Sequence, residues 1–366
     1  MLIGVPREIK DGENRVAITP AGLTALRHHG HQALVETGAG AGSGYADDEY
    51  RAAGADIAAT AEDVYRQAQL LLKVKEPLPQ EYPWLRPDLV LFTYLHLASS
   101  ESLTRALLDS GVTAIGYETV QTDSGALPLL IPMSEVAGKM AVQIGARYLE
   151  CDFGGRGTLV GGVPGVPPAE VVIIGCGVVG INATKVAMGL GAHVTILDTD
   201  HERLRYLDDI MHGNVITVYS NPFSVARAAG YADLLVGAVL VAGARAPKLV
   251  SEDMVRGMKR GSVIVDVAVD QGGCIETTRP TTHSDPVYIK HGVIHYAVPN
   301  IPAAVPRTAT HALTNATLPY ALDLADYGLD QALHRNPALR RGLNLRAGKV
   351  WHPAVAASFG MEWEQG

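Results

Sequence analysis

The sequence predicts an α/β protein with two doubly wound domains, one of them inserted into the other. Short apolar runs alternate with helix-like segments, as expected where parallel strands are joined by crossover helices. This alternation is interrupted near residue 130 and begins again at Val171. A chain of 366 residues is also too long for one ordinary domain core and fits two. We therefore expect two such domains, joined by long helices.

The strands of the first series are predicted by short apolar runs, at residues 2–5, 33–36, 70–74, 89–94 and 112–116. Thr19 and Pro20 indicate the start of a helix, because threonine caps free N–H groups and proline suits the first turn. Gly30 ends that helix. A second amphipathic helix is expected to begin at Ser100 and to end at Gly111.

A long helix is expected where the two series meet. Ser134 is a favourable N-cap for residues 135–149, in which apolar side chains recur at helical spacing. The glycine- and proline-rich stretch 154–168 then predicts a surface loop. The second series of strands is expected at residues 171–174, 194–197, 215–218, 234–236, 263–266 and 293–297.

The C-terminal tail is helical in character from Thr308, except for residues 342–351. Its apolar composition predicts that it packs back on the first domain. The expected organisation is therefore one domain formed by residues 1–128 and 307–366, and a second, inserted domain formed by residues 129–306.

Composition excludes several classes of function. The formal net charge is −8 and neither sign dominates a long stretch, so a nucleic acid partner is not expected. Three cysteines without CxxC spacing argue against a disulfide framework or a zinc site and fit a reducing cytoplasm. No signal segment and no membrane span is expected, because charges or breakers interrupt every apolar run. We expect no metal cofactor.

The strongest local motif is a glycine-rich turn directly after the strand VVII. Gly175, Gly177 and Gly180 form the GxGxxG pattern of a Rossmann-like domain, and a helix-compatible segment follows. Gly175 is expected to allow the tight turn, Gly177 the approach of a pyrophosphate, and Gly180 close packing of helix and strand. The helix N-terminus offers free N–H groups to the phosphates. This order of elements predicts a dinucleotide site. Residues 129–306 are therefore expected to form the nucleotide-binding domain, and residues 1–128 and 307–366 the substrate domain.

An acidic residue ends the next predicted strand. Asp198 lies eighteen residues after Gly180, where a carboxylate accepts hydrogen bonds from the adenosine ribose and repels a 2′-phosphate. The expected cofactor is therefore NAD. Arg203 lies nearby and either weakens this preference or is a solvated helix charge.

Polar residues follow several predicted strands. Arg15 precedes the capped helix and suits a substrate carboxylate, because its planar fork matches that group. Lys75 ends the stretch LLLKVK, but Lys73 shares its face and the pattern does not choose between them. His96 and Asp270 also follow strands, and a histidine there exchanges protons near neutral pH. The residues alone predict a two-domain, NAD-dependent oxidoreductase with polar groups from both domains in a shared cleft.

Several segments resemble one family over the whole chain. GVPREIK, RVAITP, KVKEP, YLHLA, GCGVVG, VDVAVDQGG and the stretch from VPNIP to TLPY are similar to the bacterial alanine dehydrogenases. The first two are shared with the NAD-binding subunit of transhydrogenase. Cys176 and Ile301 depart from the usual pattern without removing a functional group.

The resemblance implies a role for each matching residue. Arg15 and Lys75 would bind the substrate, and His96 and Asp270 would be catalytic. The residues implied to bind NAD are Ser134, Gly175, Gly177, Val178, Gly180, Asp198, Arg203, Ser220, Val239, Leu240, Val267, Ala268, Val269, Asp270, Arg279, Val298, Pro299, Asn300 and Ile301. The division of proton transfer between His96 and Asp270 stays open.

The implied activity is oxidative deamination of L-alanine to pyruvate and ammonia, by hydride transfer from Cα to NAD, and its reverse. The implied assembly is a cytoplasmic homohexamer. Two alternatives remain: a related opine- or saccharopine-type dehydrogenase, which needs a larger pocket, and the NAD(H)-binding subunit of a membrane transhydrogenase.

Overall fold

The computed structural model describes residues 1–211, 213, 215–239 and 246–364. The chain forms two compact units. Unit 1 comprises Met1–Met133 and Ala303–Gly366, and unit 2 comprises Ser134–Pro302. Each unit is built around its own twisted, mostly parallel sheet with helices, which confirms the predicted α/β fold class.

Unit 1 contains an eight-stranded sheet in the order β15-β14-β6-β5-β4-β1-β2-β3. The strands are β1 Leu2–Val5, β2 Gln32–Glu36, β3 Asp56–Ala58, β4 Leu70–Leu72, β5 Val90–Thr93, β6 Thr113–Gly116, β14 Leu343–Arg346 and β15 Lys349–Val350. The first six are parallel, whereas β14 runs antiparallel to β6, and β15 antiparallel to β14. Buried leucines of β4 and β5 lie in the core of this unit.

The helices of unit 1 connect these strands. They are α1 Pro20–His28, α2 Asp47–Ala52, α3 Ala61–Gln67, α4 Glu101–Ser110, α10 Pro306–Arg335, α11 Pro337–Arg341 and α12 Pro353–Phe359. As predicted, the Thr19 side chain caps α1 by accepting a hydrogen bond from the Gly22 N–H. Helix α10 is interrupted at Gly328, whose φ of 72° lies in the left-handed region.

Unit 2 contains a seven-stranded sheet in the order β12-β13-β11-β10-β7-β8-β9. The strands are β7 Glu170–Ile174, β8 His193–Asp198, β9 Val215–Tyr219, β10 Leu234–Gly237, β11 Val263–Asp266, β12 Val287–Lys290 and β13 Val293–Tyr296. All are parallel except β12. The order reverses beside β7, which is the switch point of a doubly wound sheet.

The helices of unit 2 pack on this sheet. They are α6 Val178–Gly189, α7 His201–Ile210, α8 Pro222–Tyr231 and α9 Glu252–Arg256. Helix α5, Ile131–Tyr148, contains the boundary between the two units. Its early start shows that the N-cap predicted at Ser134 was wrong. Ser134 lies in the first turns of the helix because apolar packing of the segment extends back through Met133 and Leu129, both of which are buried.

The eleven strands predicted from apolar runs are all present, with their ends shifted by at most two residues. The sequence reading missed β3, β12, β14 and β15. These strands lie at or near the sheet edges, and each contains a polar or charged residue that interrupts or shortens its apolar run.

A buried histidine makes the stability of unit 2 dependent on pH. His295 on β13 donates from Nδ1 to the Val293 carbonyl (3.0 Å) and accepts at Nε2 from the Thr277 hydroxyl (2.8 Å). Burial lowers the pKa of His295 to about 4. The neutral ring is therefore the folded form, whereas the unfolded chain binds a proton below its ordinary pKa of 6.5.

We expect the free energy of unfolding to be highest above pH 6.5 and to fall by about 3 kcal/mol towards pH 4 through this residue. Urea titrations of the protein and of His295→Gln at several pH values measure the effect. The variant should show a flatter profile over this range, and an identical pH slope in both proteins would contradict the assignment.

Candidate functional site

The candidate site of unit 1 is built at the carboxyl ends of β1, β4, β5 and β6. Because these strands are parallel and adjacent, the residues that follow them emerge at one edge of the sheet. Arg15, Lys75 and His96 all come from segments at this edge. Three acidic side chains, Glu8, Glu13 and Glu118, bind the same segments.

Arg15 is held in a fixed orientation by Glu13. Its Nε and Nη2 donate to the two carboxylate oxygens of Glu13 at 2.7 Å and 2.5 Å, and both side chains are buried. Nη1 also lies 3.0 Å from the Met133 sulfur. Burial disfavours the charged guanidinium, but the carboxylate outweighs it and raises the pKa of Arg15. Glu13 therefore keeps Arg15 charged and fixes the plane of its guanidinium group.

The structure separates the two lysines that the sequence left equivalent. Strand β4 ends at Leu72, so both lysines follow it. The Lys73 ammonium is fully buried, 2.8 Å from Glu81 Oε1 and 3.3 Å from Glu8 Oε2. Breaking that pair would leave buried charges uncompensated. Lys73 therefore belongs to the core, and Lys75 remains the candidate for binding a ligand.

His96 is exposed and lies in an uncommon backbone conformation. Its φ of 50° is in the left-handed region, which is rare outside glycine and is found at functional sites. Its ring stacks parallel to Tyr94 with centroids 5.9 Å apart. The backbone N–H groups of His96 and Leu95 donate to Glu118 at 2.6 Å and 3.2 Å. These contacts hold the imidazole at the strand edge.

Glu118 was missed by the sequence reading. It follows the end of β6 by two residues, so its position after a predicted strand was the available signal. Tyr94 was missed as well. It is buried, its hydroxyl donates to the Leu129 carbonyl at 2.6 Å, and burial raises its pKa well above the ordinary value. A tyrosine inside an apolar run gives no sequence signal beyond its place in a strand.

In unit 2, the glycine turn joins β7 to α6. Gly175 has a φ of 108°, and a Cβ there would lie 2.5 Å from the Ala238 carbonyl oxygen. A Cβ on Gly180 would overlap the Gly175 carbonyl oxygen. A Cβ on Gly177 would meet no atom within 4 Å, so this position faces open space. Helix α6 begins at Val178 and directs its N-terminal N–H groups to the same place.

Asp198 is the last residue of β8 and lies against the glycine turn. Its Oδ2 accepts from the Cys176 N–H at 2.5 Å, and its Oδ1 accepts from the Asp200 N–H at 2.9 Å. Arg203 is exposed on α7 and pairs with Asp200 at 3.3 Å. The Ser220 N–H, directly after β9, donates to the Asp198 carbonyl at 2.9 Å.

The sequence predicted that Asp270 directly follows a strand, and this prediction was wrong. Strand β11 ends at Asp266, and Asp270 is exposed in the 3-10 helix Val267–Gln271. The ladder stops there because the buried Asp266 carboxylate binds the N–H groups of Ala268 and Cys274, both at 3.1 Å. Val267, Ala268 and Val269 lie in this turn of helix.

The remaining residues of the implied cofactor site follow parallel strands of unit 2, except Arg279 and Ser134. Val239 follows β10, whereas Leu240 lies outside the described residues. Val298, Pro299, Asn300 and Ile301 follow β13, and Asn300 has a φ of 65°. The Arg279 guanidinium lies over the Tyr288 ring, 4.3 Å from its centroid. Ser134 is half-buried in α5.

Family models match nearly the whole chain. The model "Alanine dehydrogenase/PNT, N-terminal domain" matches residues 4–137, and "Alanine dehydrogenase/PNT, C-terminal domain" matches residues 141–353. The chain belongs to the alanine dehydrogenase/PNT family. This agrees with the resemblance found in the sequence motifs.

Curated relatives and solved structures support the same family. The chain is 59% identical over 364 residues to an alanine dehydrogenase of Methanococcus maripaludis, covering 99% of this chain and 98% of that protein. It is 58% identical over 364 residues to the Bacillus subtilis enzyme of that name, covering 99% and 96%.

Among solved structures, an L-alanine dehydrogenase matches with a TM-score of 0.95 and 53% identity, covering 98% of this chain and 99% of that chain. A transhydrogenase from Sinorhizobium meliloti matches with a TM-score of 0.83 and 26% identity, covering 97% and 100%.

Within the described part of the chain, no helix is long and apolar enough to cross a membrane. Within the same residues, no group of three or more histidine, cysteine or acidic side chains has the arrangement of a metal site.

The glycine turn gives a test that separates folding from ligand binding. Gly180→Ala should destabilise the protein, because its methyl group overlaps backbone atoms. Gly177→Ala should leave thermal stability almost unchanged, since the added methyl meets open space. If a pyrophosphate approaches Gly177, the same variant should raise the Kd for NADH by about tenfold or more.

Thermal melts and NADH fluorescence titrations measure the two effects. Gly189→Ala on the same helix, which also has no neighbour within 4 Å, is the matched control and should change neither quantity. Unaltered NADH binding by Gly177→Ala would remove this position from the dinucleotide site.

Proposed function

We propose that the chain is an NAD-dependent alanine dehydrogenase. The overall reaction converts L-alanine, NAD⁺ and water to pyruvate, ammonium, NADH and a proton, and is reversible. The observation that carries the proposal is the full-length identity of 58–59% to proteins named alanine dehydrogenase. The polar residues at the strand ends of unit 1 fit a small amino acid substrate.

Arg15 and Lys75 are the proposed carboxylate ligands. A planar guanidinium already oriented by Glu13 suits a bidentate carboxylate contact. The Lys75 ammonium adds a second positive charge, and the backbone of this residue is held in place by hydrogen bonds. Together they would orient Cα of the substrate, and this orientation is a large part of what an enzyme contributes to such a step.

His96 and Asp270 are the proposed proton-transfer groups. The amine must lose a proton before hydride leaves Cα, and the resulting imine then adds water and releases ammonia. An exposed imidazole fixed at the strand edge can take and return these protons. Asp270 would share the proton transfer or stabilise the cationic imine.

The residues of unit 2 fit NAD. Gly177 would leave room for the pyrophosphate beside the N-terminus of α6. Asp198 would accept hydrogen bonds from the adenosine ribose. The segments after β9, β10, β11 and β13 would complete the site. When bound, NAD supplies the nicotinamide C4 that accepts the hydride. The side chains described above bind and orient the substrate and move its protons.

A second candidate is an NAD(H)-binding role like that of transhydrogenase, which the 26% identity to such a protein favours. A transhydrogenase subunit needs no amino acid pocket. The homohexamer and its place in the cytoplasm stay predictions. Sedimentation analysis of the purified protein tests the predicted hexamer.

Purified protein should form NADH from NAD and L-alanine, which the ultraviolet absorbance of NADH measures. His96→Ala and Asp270→Ala should each lower kcat by at least about a hundredfold. Exposed Glu101→Gln is the control and should keep full activity. Near-full kcat in both variants would refute the assigned roles, and an inactive natural protein would favour the transhydrogenase reading.

Arg15→Lys tests carboxylate binding with less damage than alanine, because it leaves buried Glu13 with a cationic partner. A lysine cannot form the bidentate contact, so KM for L-alanine should rise by about tenfold or more, while KM for NAD stays the same. Steady-state kinetics with each substrate varied gives both constants. An unchanged KM for L-alanine would exclude Arg15 from the substrate site.

A further inference from the structure

Glu8 binds the backbone of the segment that carries Lys75. It lies three residues beyond β1 and is 9% exposed. Its Oε1 accepts the N–H of Val74 at 2.6 Å and that of Lys75 at 3.3 Å. One carboxylate oxygen thus contacts two consecutive peptide groups immediately before the proposed substrate ligand.

This contact replaces the strand ladder on the β1 side, where the regular pairing of β4 with β1 stops at Leu71 and Gly4. On the β5 side, backbone hydrogen bonds continue to Val74, whose carbonyl accepts from the Tyr94 N–H at 3.4 Å. Beyond it, the Lys75 carbonyl accepts from the Thr93 hydroxyl at 3.0 Å. Lys75 is therefore fixed on both sides of its backbone by side chains, one from the end of β5 and one from the segment after β1.

Lys73 allows a carboxylate to remain in this place. Burial raises the pKa of Glu8, and the nearby Lys73 ammonium opposes that effect. Burial likewise disfavours charged Lys73, but Glu8 and Glu81 together raise its pKa. Glu81 Oε1 also accepts from the Tyr65 hydroxyl at 2.8 Å. The Lys73 ammonium thus lies between the buried carboxyl groups of Glu8 and Glu81 and offsets part of their charge.

We propose that Glu8 is a positioning residue for Lys75, which sets the backbone from which the Lys75 ammonium reaches the substrate carboxylate. The inference rests on the proposed function of Lys75 and extends it to a residue that does not touch substrate. A lysine has a long flexible stem, so its ammonium is placed accurately only when its backbone is fixed.

Glu81 provides a matched control within the same cluster. Like Glu8, it is buried, lies beside the Lys73 ammonium and accepts a backbone N–H, that of Leu78 at 2.7 Å. The two residues differ in which backbone they hold. A purely structural role predicts the same outcome for both, whereas a positioning role predicts a difference in substrate binding.

The experiment compares Glu8→Ala, Glu8→Gln, Glu81→Ala and Glu81→Gln in the full-length protein. Both alanine variants should lower Tm. Only Glu8→Ala should raise KM for L-alanine and for pyruvate, by about tenfold, with KM for NAD unchanged. Glu8→Gln should recover most of that loss, because its amide oxygen still accepts the two N–H groups.

Equal KM values for L-alanine in Glu8→Ala and Glu81→Ala would overturn the proposal, as would a failure of Glu8→Gln to recover binding. If Glu8→Ala does not fold, Thr93→Val removes the other backbone contact at nearly constant volume. It should raise KM for L-alanine by about threefold, and an unchanged KM would then refute the positioning role.

Failure of the proposed function is recognised separately, because the natural protein would then not oxidise L-alanine. The positioning role is still tested by the rate at which trinitrobenzenesulfonate modifies Lys75, followed by mass spectrometry with exposed Lys349 as the reference. Glu8→Ala should speed this reaction by about threefold or more over Glu81→Ala, since the segment is released. Equal rates would refute the proposal.

Discussion

Parallel pairing of adjacent strands is the constraint on which both candidate sites depend. In each sheet the parallel strands deliver the chain to one edge, where the N–H groups of the next residues no longer have a ladder partner. Residues far apart in sequence, such as Arg15 and His96, are brought to the same edge of unit 1 by this geometry. The glycine turn, Asp198 and Ser220 meet at the corresponding edge of unit 2 in the same way.

Carboxylates solve the problem of unpaired backbone at these strand ends. Glu8 binds the N–H groups of Val74 and Lys75, and Glu118 binds those of Leu95 and His96. Asp266 binds the N–H groups of Ala268 and Cys274, on either side of Asp270. Hydrogen bonds to a charged acceptor are stronger than those between neutral groups, so they hold irregular backbone firmly. The same acidic residues that stabilise the strand ends therefore also set the geometry of the proposed functional residues.

Much of the local structure could be predicted, and the errors have identifiable causes. Apolar runs of three to six residues marked the central strands, because a strand covered on both faces is apolar throughout. Ser134 was wrongly assigned as a helix cap, because packing of the residues before it extends α5 backwards. Asp270 was placed directly after a strand, although the Asp266 carboxylate ends β11 four residues earlier.

The sequence by itself determined the two series of α/β elements, the glycine turn and the family, since these depend on periodicity and on residue order along the chain. Only the tertiary structure placed the Lys73 ammonium in the core beside Glu8 and Glu81, because that contact depends on how distant segments pack. It alone revealed Glu13 and Glu118 as partners of Arg15 and His96. A charged side chain has the same pattern in sequence whether it faces solvent or a buried partner, and only folding brings that partner into contact.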